Sequence, residues 1–453
     1  MKKNNSFNSI EIAKKSLSGM KLIEFVESAR GDSRVNFTRN RKVTPEGICN
    51  YLISKKGLSS KMELDYFNDA INCDISSPGM LKQREKFNPD AILLLEDILI
   101  KELYIENKRF LKTWKGHLLC AIDGSEMEVP NTINSRNEFR GAANQHTDNG
   151  VVRGKISNIY DVLNKFIIDT QVGEYRESER KLAIQNHEVY KSLLPDSKAI
   201  FIMDRGYRGI QMMYKFGAND KYLIRLFDKD FKEEFMKYGE EQEDIIVDFI
   251  NSSCVSTKNT IIRAKGKYPG FEKFLSDEKK FETRIVKVKL DNGTIEILAT
   301  NLTIEEASIE ELKELYNLRW GIESNFHFLK ESVKLEQFSS SKKRLILQEI
   351  YVTMYVQNLV QLFMKEADEK IKQEKYKHEM KTNSNMAIGI FKKKILSILI
   401  IEENELRNQL MNEMLYKMKK YIIPIRKERK KQGPDKRRRK SQNRYSINKR
   451  KGF

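Results

Sequence analysis

Three acidic residues in this sequence stand where carboxylates could bind metal ions. Asp123 ends the apolar run 117–122, and Asp204 ends the apolar run 198–203. Such runs are typical of strands buried on both faces, and the ligands of open α/β sheets collect where those strands end. Glu323 lies later, in a stretch with helical periodicity. Convergent carboxylates are what a pair of Mg²⁺ ions requires, although a single Asp at a strand end is more often a turn residue or a helix cap.

The predicted helix around Glu323 carries basic and aromatic side chains beside that acid. At about 100° per residue, one narrow face contains Tyr316, Arg319, Glu323 and Lys330. This face borders the apolar stripe of the helix. Such an arrangement is suited to binding a phosphate backbone next to a metal ligand. An ordinary ion pair between Arg319 and Glu323, four residues apart, fits the spacing equally well.

Short motifs follow one another between about residues 117 and 360. They occupy positions 121–125, 202–207, 222–225, 300–302, 315–330 and 348–351. In this order they resemble the motifs of DDE transposases from bacterial insertion sequences, in the insertion-sequence-four family. The family's Tyr-(2)-Arg-(3)-Glu-(6)-Lys spacing is matched by Tyr316, Arg319, Glu323 and Lys330.

The resemblance implies an α/β fold with an RNase H-like mixed-sheet catalytic core. It also implies that Asp123, Asp204 and Glu323 ligate two Mg²⁺ ions, for which Mn²⁺ could substitute. The activity would be cleavage of DNA at the ends of an insertion sequence, followed by strand transfer from the freed 3′-OH into target DNA. The partners would be the terminal inverted repeats, the target DNA and a second copy of the chain in a synaptic homodimer. DNA contacts are expected from Tyr316, Arg319, Lys330, Arg225, Arg205 and Trp320.

The chain is predicted to divide into six regions. A helical DNA-binding region (1–112) comes first, then the two parts of the core (113–226 and 299–345) on either side of a β-rich insertion (227–298), then a helical region (346–425) and a basic tail (426–453). The third acid belongs to the second part of the core. The pattern therefore predicts a core flanked by helices at both ends.

Several local elements are specific enough to check. Helices over 45–54 and 60–68 flank Lys55-Lys56-Gly57 and could form a helix-turn-helix, although most such pairs are only core packing. Strands are predicted over 126–129, 155–160 and 165–172, and a helix over 178–194. Asp291-Asn292-Gly293 predicts a hairpin between 284–290 and 294–299.

Positive charge is concentrated at the C-terminus. The chain has a formal net charge of +19, and residues 426–453 contain 14 Lys or Arg against two acids. The centre of this tail is Arg437, Arg438, Arg439 and Lys440. Such a segment attracts phosphates without sequence preference, which favours nucleic acid over a solubilising role or a contact with anionic lipid.

Other classes are disfavoured by the composition. The longest apolar stretches fall far short of the about 20 residues that a membrane-spanning helix needs, and no apolar signal core follows the first charged residues. We therefore expect an unexported cytoplasmic protein that works at the bacterial nucleoid, without membrane partners. Two further functions remain open: a DNA-binding protein without catalysis, such as a domesticated descendant, and a metal-dependent nuclease without strand transfer.

Overall fold

The computed structural model describes residues 6–39, 41–140, 151–228, 241–248 and 282–425, with the single residues 230, 236 and 239. The described residues before 113 are largely helical. Their helices are α1 (Ser9–Ser18), α2 (Ile23–Arg30), α3 (Pro45–Ser54), α4 (Ser60–Ile71), α5 (Ser77–Arg84) and α6 (Asp90–Lys101). Side-chain oxygens of Thr44, Ser59 and Ser76 accept from the first turns of α3, α4 and α5 and so satisfy N–H groups that a helix start leaves unpaired.

The two helices around Lys55 form as predicted, with different environments. α3 is buried along most of its length, from Ile48 to Ser54. α4 buries only Glu63, Leu64 and Phe67. α3 is therefore a core helix, and a DNA-reading role for this pair stays a prediction.

One mixed sheet of eight strands forms the centre of the molecule. Its strands are β1 (Leu118–Glu128), β2 (Arg153–Asp161), β3 (Phe166–Glu174), β4 (Ala199–Met203), β5 (Lys221–Leu226), β6 (Asp244–Asp248), β7 (Glu282–Lys289) and β8 (Ile295–Thr300). They lie in the order β3-β2-β1-β4-β5-β8-β7-β6. β1, β2 and β3 are antiparallel neighbours, whereas β4 and β5 continue the sheet parallel to β1. This arrangement confirms the RNase H-like mixed-sheet core with flanking helices.

One predicted strand boundary is wrong. Residues 126–129 were expected to form a separate strand, but β1 runs without interruption from Leu118 to Glu128. Its first half pairs with β4 and the whole of its second half pairs with β2. Asp123 therefore lies in the middle of a long strand and not at its end.

The strands of the region 227–298 extend the core sheet. β8 pairs antiparallel with β5, and β7 and β6 follow it outward. The predicted hairpin is confirmed as β7 and β8, with Gly293 at φ +83 in the connecting turn. Residues 249–281 lie outside the described part of the chain.

The two faces of the sheet have different covers. Leu119, Ile200 and Leu223 pack against α10 (Ile309–Asn317), which contributes Leu312 and Leu315 to the same apolar cluster. The other face meets α8 (Glu179–Leu193) and α12 (Lys343–Glu369). Because side chains alternate along a strand, Asp123 shares the face of Leu119, and Gly124 shares the α8 face.

Helices from both ends of the chain form one layer around α12. The remaining described elements are α7 (Ile133–Phe139), α9 (Ile210–Gly217), α11 (Trp320–Phe328), α13 (Ser384–Ile400), α14 (Asn404–Lys420), β9 (Met380–Thr382) and β10 (Ile422–Pro424). The backbone N–H of Ser9 in α1 donates to Glu366 Oε2 of α12 at 2.7 Å, and Ser16 Oγ lies 2.7 Å from the Tyr355 hydroxyl. None of the helices in the described ranges is long and apolar enough to cross a membrane.

Candidate active site

The pairing of β1 with β4 brings the two aspartates together. Ile122 and Met203 are the last residues in parallel register, and Asp123 and Asp204 follow them directly. Neighbouring strands are about 4.8 Å apart, so the two acids emerge side by side. Asp123 Oδ1 accepts from the N–H of Gly124 at 2.8 Å, and Asp204 Oδ1 accepts from the N–H of Gly206 at 2.6 Å.

Glu323 reaches the same place from the α10 side through a break in the helix. α10 ends at Asn317 and α11 begins at Trp320. Between them the N–H groups of Leu318 and Arg319 bond three residues back, which is the tighter 3₁₀ pattern. The expectation of one regular helical face from Tyr316 onward is therefore wrong at this point.

Arg319 connects two of the acids. Its Nη1 lies 2.6 Å from Glu323 Oε1 and 3.8 Å from Asp123 Oδ2. Glu323 Oε1 and Asp123 Oδ2 are therefore no further apart than the sum of these two distances. Arg319 is only 5% exposed, so its cation stands between Asp123 and Glu323 at the edge of the core.

Lys330 lies apart from this group. It belongs to a single π-helical turn (Leu329–Val333) that follows α11. Its Nζ donates to the carbonyl of Glu126 in β1 and lies 3.4 Å from Glu336 Oε1. The structure therefore groups Tyr316, Arg319 and Glu323, and it places Lys330 further along β1.

The electrostatics of Asp123 reflect crowding of negative charge. Burial raises its pKa to about 7. The N–H of Gly124 and the guanidinium of Arg319 oppose this rise, whereas the carboxylates of Asp204 and Glu323 add to it. All three predicted acids thus interact electrostatically.

Three buried polar groups at the site have no hydrogen-bond partner among the described residues. They are the hydroxyls of Tyr207 and Tyr316 and the Nε of Arg319. The Arg319 guanidinium carbon lies 5.7 Å from the centre of the Tyr316 ring. Buried polar groups are normally bonded, so these three unpartnered donors have hydrogen bonds to offer to a polar ligand.

The acids do not form a ready metal cage. Within the described ranges no group of three His, Cys, Asp or Glu side chains has the geometry to hold an ion as it stands. The chemistry of the donors nevertheless fits a hard cation, because carboxylate oxygens and a hydroxyl surround Asp123. Of the three acids, Glu323 is the one whose carboxylate makes the close ion pair with Arg319.

A fourth acid, Glu179, also lies here and was not identified from the sequence. It is the first residue of α8, which forms as predicted. A Cβ added at Gly124 would lie 3.2 Å from Glu179 Cγ. Helical periodicity gives no sign of this contact, and the available signal was the glycine directly after Asp123, at Gly124.

The other expected DNA contacts are scattered. Arg225 pairs with Glu296 across β5 and β8 at 3.0 Å. Arg205 is exposed in the turn after Asp204, near the ring of Phe227. Trp320 is 51% exposed, and Arg319 lies 5.0 Å from its ring. Arg437, Arg438, Arg439 and Lys440 lie outside the described residues.

Comparison with known proteins gives three similarities. A family model described as the transposase DDE domain matches residues 114–359. The transposase InsG for insertion sequence element IS4 of Escherichia coli strain K12 is 23% identical over 266 residues, which are 57% of this chain and 55% of that protein. This chain thus spans about half the length of that relative. Among solved structures, the piggyBac transposase in a synaptic complex with hairpin DNA matches with a TM-score of 0.45 at 10% identity, over 91% of this chain and 86% of that one.

Proposed function

This chain belongs to the transposase DDE domain family, and on that premise we propose that it is a DNA transposase. The reaction would be cleavage of DNA at the ends of an insertion sequence and transfer of the 3′ end into target DNA. The observation that carries the proposal is the adjacency of Asp123 and Asp204, which directly follow the last residues in the β1–β4 register, with Glu323 joined to Asp123 through Arg319. Its place of action would be the bacterial nucleoid.

Asp123, Asp204 and Glu323 would hold two divalent ions, Mg²⁺ or Mn²⁺. Such a pair of ions stabilises the attacking and leaving oxygens of an in-line displacement at phosphorus. The protein's own contribution is to keep the three carboxylates close together with little water around Asp123, whose side chain is 18% exposed. Low exposure strengthens the interaction of this carboxylate with any cation.

Arg319 and Tyr316 would hold the DNA backbone. The Arg319 Nε and the Tyr316 hydroxyl are two buried donors without partners, and a phosphate oxygen accepts from such groups. Arg319 also offsets part of the negative charge of Asp123 and Glu323 in this structure. If those acids bound cations, the Arg319 Nη1 would be released to bind the phosphate. Arg319 would thus pair with the carboxylates before the cations bind and with the phosphate afterwards.

The decisive experiment incubates the purified chain with Mg²⁺ and labelled DNA from either side of its gene. Asp123→Ala, Asp204→Ala and Glu323→Ala should each abolish cleavage and retain binding of the ends, because they remove cation ligands but no apolar packing. Asp196→Ala is the matched control, since Asp196 is exposed and precedes β4 while Asp204 follows it. Undiminished cleavage by any of the three variants would reject the assignment.

The same assay separates the alternatives. A binding protein without catalysis would shift the DNA without nicking it. A nuclease would cut the ends and never join them to a target plasmid. If a homodimer carries out synapsis, the complex contains two DNA ends and two protein chains. Light scattering measures the mass of this complex, formed with cross-linked DNA ends.

The basic tail would supply affinity without specificity. Removal of residues 426–453 deletes 14 Lys or Arg and two acids. Since each lost phosphate contact reduces the number of counterions released, the plot of log affinity against log salt should become shallower. The ratio of affinities for end DNA and random DNA should stay the same. An unchanged slope would contradict a role for the tail in DNA binding.

A further inference from the structure

The glycine next to Asp123 makes room for the carboxylate of Glu179. Gly124 follows Asp123, and a Cβ there would lie 3.2 Å from Cγ and 3.5 Å from Cδ of Glu179. Gly206 follows Asp204 by two residues, and a Cβ there would lie 2.9 Å from Asp204 Oδ1 and, at an ordinary contact distance, 4.0 Å from Glu179 Oε2. Neither glycine has positive φ, so backbone freedom does not account for them. What Gly124 provides is space for Glu179 to approach the strand that carries Asp123.

Contacts at the start of α8 fix the orientation of Glu179. Arg180 Nε donates to the carbonyl of Gly206 at 2.9 Å, which ties the helix to the turn after Asp204. Lys155 Nζ lies 3.3 Å from Glu179 Oε1. One oxygen of the carboxylate therefore faces Lys155, and the other lies toward Gly206.

An independent observation is the hydroxyl of Tyr207. This side chain is 1% exposed and its hydroxyl has no partner among the described residues. The hydroxyl would lie 3.5 Å from a Cβ at Gly124, on the same side as Glu179. Burial raises the pKa of Tyr207 well above its ordinary value, and the charges of Asp123, Glu179 and Asp204 raise it further. Tyr207 is thus a neutral donor directed into a group of three acids.

We propose that Glu179 is a fourth carboxylate of the divalent-ion site and that Tyr207 is the residue that positions it. The inference rests on the proposed function, which assigns ions to Asp123 and Asp204. The Tyr207 hydroxyl has no partner in the described part of the chain; with ions bound it would donate a hydrogen bond to Glu179 and keep Oε2 on the side of Asp204. Four acids from three directions then surround the ions: Asp123 and Asp204 from the sheet, Glu323 from α11 and Glu179 from α8.

A plain surface ion pair does not account for these contacts. The Glu179 side chain is 44% exposed and its pair with Lys155 is open to solvent. Pairs of that kind contribute little to stability and place no demand on neighbouring residues. They would not require a glycine beside Asp123, nor would they leave a buried tyrosine hydroxyl without a partner.

The test measures Mn²⁺ binding by the full chain with electron paramagnetic resonance, without DNA. Glu179→Gln should weaken the affinity about tenfold or more, as the loss of groups at the margin of a metal site does. Glu179→Asp should also weaken it, because the shorter side chain keeps the charge but withdraws the oxygen. Glu188→Gln, on the exposed side of the same helix, is the matched control and should bind as the wild type does.

Tyr207→Phe separates positioning from packing. The variant removes a hydroxyl that has no partner, so the midpoint of thermal unfolding should not fall, while Mn²⁺ affinity should drop to a value between those of the wild type and Glu179→Gln. A lowered midpoint with unchanged Mn²⁺ affinity would mean that Tyr207 only packs, and would overturn its role.

Asp123→Asn serves as the reference in the same titration. If Asp123→Asn loses Mn²⁺ and either Glu179 variant binds it like the wild type, the fourth carboxylate is overturned and the proposed function stands. If Asp123→Asn also binds Mn²⁺ normally, the ion site itself is wrong and the proposed function fails with it.

Discussion

Arg84 and Arg319 are both buried and both pair with carboxylates, and their surroundings differ. Arg84 of α5 is 4% exposed and uses every nitrogen of its guanidinium, on Gln348, Ser339 and Glu349. Arg319 is equally buried, yet its Nε has no partner among the described residues. The Arg84 cluster is complete, whereas the Arg319 cluster has unused donors.

The acids in the two clusters differ in the same way. Burial alone would raise the pKa of Glu349, but the charges of Lys55 and Arg84 outweigh it and hold that pKa well below its ordinary value. Burial raises the pKa of Asp123 to about 7, because its single arginine is shared and other acids are near. The Arg84–Glu349 pair has all its hydrogen bonds satisfied and joins two helices. The Arg319 pair has unsatisfied donors and is suited to binding a ligand.

The largest effect expected from this contrast is on activity. Asp123→Asn should lower the cleavage rate at least about a thousandfold, since a metal ligand supports several kcal/mol of transition-state stabilisation. Its free energy of unfolding should not fall, because the substitution removes a carboxylate repelled by its neighbours. Single-turnover cleavage and urea unfolding measure the two quantities. A variant that is both inactive and clearly destabilised would mean that Asp123 is structural, like Glu349.

The converse change should affect stability first. Glu349→Gln leaves Lys55 and Arg84 buried without their anion, and breaking a buried pair in this way costs about 3–5 kcal/mol of unfolding free energy. Glu369→Gln in the same helix is the control, because the Glu369 side chain is 43% exposed and its pair with Lys365, four residues apart on the helix, is worth about 0.5 kcal/mol or less. Equal losses for the two variants in urea would remove the distinction between the clusters.

A third buried acid has an amide partner in place of a cation. Glu96 is bonded to Asn358, its Oε2 has no partner among the described residues, and burial raises its pKa to about 8. The folded protein therefore keeps this proton at pH values where the unfolded chain has lost it. The contribution to stability is complete below the unfolded pKa and declines as pH rises to about 8, by up to about 1.4 kcal/mol per pH unit.

Glu96→Gln should flatten that decline. Urea unfolding of the wild type and the variant between about pH 5 and 8 gives the difference in slope. Asp97, Asp169 and Asp123 also have raised pKa values and remain in both proteins, so only the difference between the two slopes is informative. Parallel slopes would show that Glu96 is ionised in the folded state.

The smallest expected effect concerns two tyrosine hydroxyls. Tyr222→Phe removes a bond to Thr283 Oγ1 of 2.7 Å and should cost about 1 kcal/mol of unfolding free energy. Tyr316→Phe removes a hydroxyl without a partner and should cost nothing, while it should weaken binding of end DNA. A loss of stability in Tyr316→Phe as large as that in Tyr222→Phe would contradict the phosphate role of Tyr316.

Much of this arrangement could be predicted from local pattern. Two apolar runs that each end in Asp predict adjacent strands, and the β1–β4 register places Asp123 beside Asp204. The turn at Gly293 was equally predictable from its sequence. These features depend on burial and on turn conformation, and both can be predicted from a few consecutive residues. The catalytic roles of the acids and the DNA contacts stay proposals.

Other features depend on partners that the local sequence does not identify. Leu318 and Arg319 are both compatible with an α-helix, so their types do not predict the break before α11. Spacing along one continuous helix therefore placed Lys330 with Tyr316, Arg319 and Glu323, whereas in the structure it lies apart from them. The approach of Glu179 to Gly124 joins elements more than fifty residues apart. Likewise, the helices before 113 and after 345 read as two regions, although they pack as one layer.

That shared layer has a consequence for how the protein is made. The partner of Ser9, Glu366, is 357 residues away along the chain. A ribosome adds about 5 to 20 residues per second, so the nascent α1 waits on the order of 20 to 70 seconds before its partner emerges. During that interval α1 can pack against α6, where the carbonyl of Leu95 accepts from Ser16 Oγ at 2.8 Å, but the side of α1 that meets α12 has no cover. Synthesis must therefore be nearly finished before the first helix reaches its final position.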